Sequence, residues 1–307
     1  MLRKYAIRDE KICTLDDGDC PILVYVSPDE TEIKTLIEKY KVDEHTLHSA
    51  LDPDEVSRLE FEPNHIAFIY KRPKNYSAQD QFLFKSGTVG VFYYTDQLII
   101  VTTEDINPFD GKQFNKVVTL ADIMLKLIYR AIYHFLEHLK VINMISGELE
   151  QKINRAMENK YLLNMFTLEK SLVFYLNAIN SNAVLIEKMK INSAKFGFTP
   201  EALELLDDII IENNQCYKQA EIYSNILASL MDARASIVSN NLNVLMKTLN
   251  IITIAIMVPT FVVSVFSMNV PLPGELGNLV HSFWFIMALA CIATGSFLII
   301  WRRKKWY

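Results

Sequence analysis

Hydrophobic and polar positions along this chain follow two different periods. Between Pro21 and about Glu104, short alternating or β-branched runs (ILVYV, HIAFIY, TVGVFYY, QLIIVTT) are separated by Pro, Gly and Asp, the pattern of strands joined by turns. A helical pattern lies between the first two runs, around Glu30 to Leu51. Residues 1–118 are therefore predicted to form an α/β domain. From Thr119 the apolar spacing becomes helical and no proline occurs until Pro200, which predicts two long antiparallel helices, Thr119 to about Asn159 and Tyr161 to about Ser193, within residues 119–198. Thr199-Pro200-Glu201 reads as a helix start, with Thr as N-cap and Pro at the first helical position. Nothing further on stops that helix, so residues 199–269 are predicted as one element on the order of 100 Å long at 1.5 Å rise per residue.

The apolar residues, half of the chain, are unevenly spread. Leu249 to Phe266 carries no charge and Leu279 to Trp301 is as apolar, and each approaches the roughly 20 residues needed to span a bilayer. Both read as transmembrane helices, the first over about residues 249–268 and the second over 279–301. Lys247 precedes the first, Trp301-Arg302-Arg303-Lys304-Lys305-Trp306 follows the second, and the connecting turn carries only Glu275 and His281. Positive charge marks the cytosolic side, so the expectation is a hairpin in the cytoplasmic membrane. Both termini are then cytosolic, residues 270–278 form an external loop and residues 302–307 a basic cytosolic tail. The N-terminal stretch MLRKYAIRDEKICTLDDGD lacks the apolar core of a secretory signal, which predicts that the first 240 or so residues stay in the cytosol.

Stepping alternately by four and three from Asn225 gives Ser229, Asp232, Ser236, Ser239, Asn243, Met246, Asn250, Thr253, Met257, Thr260, Ser264 and Ser267. All but the two methionines are polar, and this spacing keeps them on one seam of a helix in a left-handed bundle. In the cytosolic half a solvated face explains the pattern equally well. Inside the membrane Asn250, Thr253, Thr260 and Ser264 must instead meet protein or water. They either hydrogen-bond a neighbouring helix or their own carbonyls, or they line a water-filled path. Two membrane helices per chain cannot enclose a pore, so the second reading requires a homo-oligomer. Its lining of neutral oxygens, a carboxylate at Asp232 and no Lys or Arg favours cations. Met246 and Met257, with Leu249 beside the seam, could gate by dewetting.

Other chemistry is weakly indicated. Cys13, Cys20, Cys216 and Cys291 show no CxxC spacing, against a zinc knuckle or disulfide framework. His134-Phe135-Leu136-Glu137-His138 fits the HxxEH pattern of inverted zinc peptidases, but no acidic third ligand has recognisable context and short patterns arise by chance in long helices. The pair His45 and His48 is weaker still. No Gly-rich phosphate loop, Ser/His/Asp context or basic aromatic surface points to nucleotide hydrolysis or nucleic-acid binding, so neither an enzyme nor a nucleic-acid partner is expected. A non-conducting membrane scaffold or sensor is the remaining contrast.

The segments NVLMKTLNIITIAIMVPTFVVSVFSMN, PGEL and WRRKKWY resemble the CorA family of divalent metal ion transporters, with its long pore helix, Gly-Met-Asn signature, acidic loop and basic aromatic tail. ALDPDEVSRLEFEPNHIAFIYKRP is similar to the family's cytosolic domain. The resemblance implies a funnel-shaped homopentamer in the bilayer that conducts Mg2+. Asn269, with Met268 and Ser267, would form the ion-selecting mouth, and Glu275 would belong to the acidic loop. Asn243, Met246, Leu249, Met257 and Thr260 match pore and gate positions, and Asp232 the acidic ring below the membrane. Family members close when cytosolic Mg2+ binds between subunits; Asp208 falls at one such carboxylate, with Asp80 as the candidate partner. Ser267 replaces the signature glycine. That departure keeps a Zn2+ transporter of the ZntB-like branch, with Co2+ or Ni2+ as further cargo and with or without proton coupling, as the alternative.

Overall fold

The computed structural model describes residues 1–15, 20–77, 80–156, 159–268 and 282–303. It divides into two compact units, Met1–Met231 and Asp232–Tyr307.

The first unit is built on a seven-stranded sheet of β1 (Leu2–Arg8), β2 (Lys11–Thr14), β3 (Ile22–Val26), β4 (Arg58–Phe61), β5 (Ile66–Pro73), β6 (Ser86–Tyr93) and β7 (Leu98–Thr102), in the order β2-β1-β3-β7-β6-β5-β4. β3 and β7 pair in parallel, Ile22 opposite Leu98, and the other pairings are antiparallel. Every residue of these two central strands, ILVYV and LIIVT, is buried, as expected for strands covered on both faces. On one face Leu36 of α1 (Glu30–Glu38), Val42 of the connection and Leu47 of α2 (Glu44–Leu51) pack against Leu23, Tyr25, Ile99 and Val101. The helical pattern expected over Glu30 to Leu51 is thus two helices, broken where Lys41 adopts φ 58°. Asp29 caps α1 with a reciprocal Glu32 bond and Asp43 caps α2. Gly90 of β6 permits α2 to approach, since a Cβ there would lie 2.4 Å from that of Ala50.

The other face carries α3 (Leu120–Ala156), α4 (Asn159–Ile191), a single turn α5 (Ser193–Phe196) and the start of α6 (Pro200–Phe266). Phe135, Leu139, Leu172, Tyr175, Leu206, Ile209 and Cys216 join Val24, Phe68, Val91 and Ile100 in one core. The sheet edge at β5 is completed by a side chain: β4 ends opposite Ile69, and two residues on, the Asn182 carboxamide of α4 takes over the ladder. Its Oδ1 accepts from Lys71 N at 2.8 Å and its Nδ2 donates to Lys71 O at 2.8 Å. Ser57 Oγ donates to the same Oδ1 at 2.7 Å.

The second unit holds the C-terminal part of α6 and α7 (Ser282–Arg303). These two helices are long and apolar enough to cross a membrane. α6 begins as expected, with Thr199 Oγ1 accepting from Ala202 N at 3.3 Å, and is 67 residues long. It continues through Pro259, which in a water-exposed helix interior would cost about 3 kcal/mol but is tolerated in membrane helices where Ser and Thr re-satisfy the backbone.

Candidate functional site

The seam lies on α6 and is exposed along its whole membrane stretch in the single chain. Asn243, Asn250, Thr253, Thr260, Ser264 and Ser267 are exposed, as is Asp232, and Met246, Leu249 and Met257 are each 63% exposed. A different row, Ile251, Ala255, Val258, Val262 and Phe266, is partly covered. At 100° per residue the centre of that row lies roughly opposite the seam. α6 and α7 share two clefts, one bordered by Asn250, Thr253, Phe297 and Trp301 and the other by Thr260, Ser264, Ala290 and Thr294.

Three of the seam hydroxyls bond back to the helix. Thr253 Oγ1 donates to Leu249 O at 2.9 Å and Thr260 Oγ1 to Ile256 O at 2.7 Å. Ser267 Oγ donates to Ser264 O at 2.9 Å. Bonding back to the helix's own carbonyls satisfies each donor without a neighbour and leaves the oxygen lone pairs free to accept. Back-bonding was one of the two possibilities open for these groups, and it is compatible with the other, a water-lined path. Ser267 follows the last residue of α6, its N–H bonded to Val263 O at 3.1 Å. Among the described residues left-handed backbone at non-glycine positions is confined to Asp9, Glu10, Ser27, Lys41, Gln81 and Phe82, so Ser267 continues the turn without strain. Met268 is exposed; Asn269 and Glu275 lie outside the described residues.

In the first unit Asp208 is exposed on α6, one turn before Glu212. Burial pushes the Tyr129 hydroxyl well above its ordinary pKa, with Tyr133, Glu212 and Asp208 adding to the shift, so both carboxylates stand near that phenol. Asp80 is engaged locally: Oδ2 accepts from Ser77 N at 2.6 Å and Ser77 Oγ at 2.8 Å, which hold the carboxyl below its ordinary range. Pattern reading missed Glu212 as a neighbour of Asp208, although the four-residue spacing was visible, and took no account of Pro259 between Met257 and Thr260.

The HxxEH residues are otherwise employed. His138 Nδ1 meets the Tyr175 hydroxyl at 2.6 Å in the core, and Glu137 accepts from Arg130 Nη1 at 3.2 Å. Burial is the main cause that lowers both imidazoles, His134 to about 3 and His138 to about 4. Among the described residues no group of three or more His, Cys, Asp or Glu is placed to hold a metal. Among the described residues no disulfide is formed.

Comparison with known proteins agrees over nearly the whole chain. The family described as CorA-like Mg2+ transporter protein matches residues 21–304. The cobalt/magnesium transport protein CorA of Methanocaldococcus jannaschii is 24% identical over 294 residues, 91% of this chain and 89% of that protein. The complete structure of the CorA magnesium transporter from the same organism aligns with a TM-score of 0.82 at 21% identity, covering 100% of this chain and 98% of that one. The ZntB cytoplasmic domain from Vibrio parahaemolyticus aligns with a TM-score of 0.61 at 13% identity, covering 78% of this chain and 98% of that one. At these identities the structural likenesses establish the fold: a sheet-based unit, long helices and two C-terminal apolar helices. The extent of the family match places the chain among membrane transporters rather than enzymes, and it belongs to the CorA-like Mg2+ transporter family.

Proposed function

We propose that this protein conducts divalent cations, Mg2+ first and Co2+ with it, through a pore lined by the α6 seams of several copies in the cytoplasmic membrane. The observation that carries the reading is the exposed row of polar oxygens on a helix otherwise fit for lipid, roughly opposite the row that is partly covered. The hydroxyl donors are met by the helix's own carbonyls, but their free lone pairs and the Asn250 amide are poorly suited to hydrocarbon. Assembly around an aqueous axis removes the conflict, and a homopentamer with cytosolic termini is the arrangement we infer. Mg2+ sheds its water reluctantly. Hydroxyl oxygens whose own protons are tied to the helix suit it, because they accept hydrogen bonds from the ion's water shell.

In this scheme Asn269 receives the hydrated ion at the outer mouth and Glu275 raises the local cation concentration. Met246, Leu249 and Met257 form the dewetting constrictions, and Asp232 is the inner carboxylate ring. Asp208 takes part in closure by cytosolic Mg2+. Asp80 holds Ser77 through Oδ2 and keeps Oδ1 for a cation, and Glu212, one turn from Asp208, is a further companion to it.

Flux into proteoliposomes, measured for Mg2+, Co2+, Ni2+ and Zn2+ with and without a pH gradient, tests the proposal. Mg2+ uptake independent of the gradient and nearly abolished in Asn269→Ala supports it. Gradient-driven Zn2+ flux with no Mg2+ flux would establish the alternative, which Ser267 motivates and which the ZntB likeness supports only as a shared cytosolic fold. Absence of any flux would leave the scaffold reading.

A further inference from the structure

A cavity of about 260 Å3 lies in the first unit between β5, β7 and α3, rimmed by the chain that follows β7. It shares no residue with the proposed pore. Two cations that come from distant parts of the sequence line it, Arg72 of β5 and Arg130 of α3.

Arg72 is poorly partnered for a buried charge. Its side chain is 13% exposed and its Nη1 stands 3.9 Å from Glu104 Oε2. That nitrogen is buried with no hydrogen-bond partner, and so is Glu104 Oε1, which sits 3.4 Å from Lys74 Nζ. A buried guanidinium nitrogen without an acceptor is costly. Nη1 itself is shielded from solvent beside Glu104, so the other guanidinium nitrogens are the ones Arg72 can offer to the cavity that its side chain lines. Burial already pulls the Arg72 pKa down, in line with an incomplete set of partners.

Arg130 is held in place from outside the cavity. Its Nε donates to Asp110 O at 3.1 Å and its Nη1 to Glu137 Oε2 at 3.2 Å. Gly111, at φ 125°, lets the loop lie against it, since a Cβ there would stand 3.1 Å from Arg130 Cδ. His134, one turn further along α3, also lines the cavity. It is neutral at physiological pH, so it offers an N–H without adding charge. Thr102 is buried in the wall. Of the acidic groups lining it, Asp105 is exposed and paired with Arg3 and Asp110 is exposed; Glu104 stands behind Arg72 and is not among the lining residues.

We propose that this cavity binds a small tetrahedral oxyanion of the inorganic phosphate class, gripped by the guanidinium groups of Arg72 and Arg130. Guanidinium N–H groups make charge-assisted hydrogen bonds to phosphate oxygens, and on Arg130 Nη2 is the nitrogen left for one, since Nε and Nη1 are taken by Asp110 and Glu137. The volume is ample for an anion with some of its water, since one water needs only ~10–15 Å3 of such space. It falls below the roughly 300–1,000 Å3 of pockets that hold drug-sized ligands. That selects free phosphate, or the phosphate end of a small phosphomonoester, over a whole nucleotide.

The test is phosphorus NMR and thermal stability of the full chain in detergent, titrated with inorganic phosphate or glycerol phosphate against chloride at matched ionic strength. Saturable broadening of the phosphate signal and a rise in melting temperature are expected. Both should weaken at least about tenfold in Arg72→Gln and in Arg130→Gln, the loss of one charge-assisted contact. Arg72→Lys should weaken binding similarly, because it keeps the charge and loses the fork. Saturation by glycerol phosphate alone would assign the site to a phosphomonoester, and by inorganic phosphate alone to the free anion. No saturable signal from either probe, or affinity unchanged in both glutamine variants, overturns the proposal. If Arg72→Gln does not fold, Arg130, whose side chain is 27% exposed, decides alone, with unchanged affinity counting as refutation.

Discussion

Replacing Asn182 with alanine should strip one edge of the sheet of its last rung. Asn182 is fully buried, and its carboxamide does the work of a strand residue. It accepts from Lys71 N and donates to Lys71 O, both at 2.8 Å, while accepting from Ser57 Oγ at 2.7 Å. Alanine leaves the Lys71 N–H and C=O buried with no acceptor or donor in reach. The Ser57 hydroxyl can rotate to another partner, so the two backbone groups carry the cost. At about 1–3 kcal/mol for each buried group left unsatisfied, the loss comes to roughly 4 kcal/mol. That is a large part of the 5–15 kcal/mol typical of a whole domain. For a unit of this size it corresponds to a fall in melting temperature of about 10 °C. Ser171→Ala gives the scale from a neighbouring site. The Ser171 hydroxyl accepts from Phe84 N at 2.9 Å and donates to Thr167 O at 2.8 Å, so its removal orphans one backbone group and should cost about half as much. Thermal melting of the full chain in detergent measures both changes. Hydrogen exchange at the Lys71 amide separates a local opening from general loosening. A melting point within 2 °C of wild type, or a Lys71 amide as protected in Asn182→Ala as before, would refute the reasoning.

Acidification should destabilise the first unit through His134 and His138. Their folded pKa values lie near 3 and 4, pushed down first by burial, against about 6.5 in an unfolded chain. Between those limits the unfolded state binds protons that the folded state refuses, so stability is full above pH 6.5 and falls as pH drops, by about 2 kcal/mol per histidine at pH 5. Thermal melts from pH 8 to 5 should show this slope, and His134→Gln should halve it; equal slopes would exclude His134 as a source. Asp232→Ala should lower ion flux several-fold at low salt and little at high salt, because a carboxylate ring concentrates cations through a screened field. A salt-independent effect would place Asp232 off the conduction path. Ser267→Gly should keep flux and narrow the range of ions carried, since it removes a hydroxyl from the mouth and frees the backbone there. Competition of Co2+, Ni2+ and Zn2+ against Mg2+ uptake reads this, and loss of all flux in an assembled oligomer would contradict it.

Strands β3, β5, β6 and β7 were legible because their apolar runs are continuous and end at turn residues. β1, β2 and β4 were not. β1 reads LRKYAIR and buries only Tyr5, and β2 and β4 are four-residue edges with no fully buried position, so pairing with neighbours, not side-chain pattern, makes them strands. The break between α1 and α2 depends on one residue, Lys41, in a left-handed conformation, which composition does not announce. Asn182 is a polar residue that the 3.6-residue pattern puts on the buried face with Ile179, Leu185 and Ile186, and the pattern does not say what its carboxamide meets there. Its place at the sheet edge is fixed by contact with Lys71, 111 positions away.

The two candidate sites differ in the same physical way. A membrane segment excludes water along its length, so each polar residue on it requires an explanation, and a row of them at 3.5-residue spacing is conspicuous within a single stretch of sequence. The phosphate-class cavity has no such local signal. Arg72, Asp110 and Arg130 lie in separate segments, each ordinary where it stands, and an unsatisfied guanidinium nitrogen becomes visible only when the sheet, the β7–α3 connection and α3 have closed around it. Sequence periodicity reports what a single element must hide from its solvent. It is silent on charges brought together by folding, where the deciding quantity is the number of hydrogen-bond partners left over after the backbone and neighbouring side chains have taken theirs.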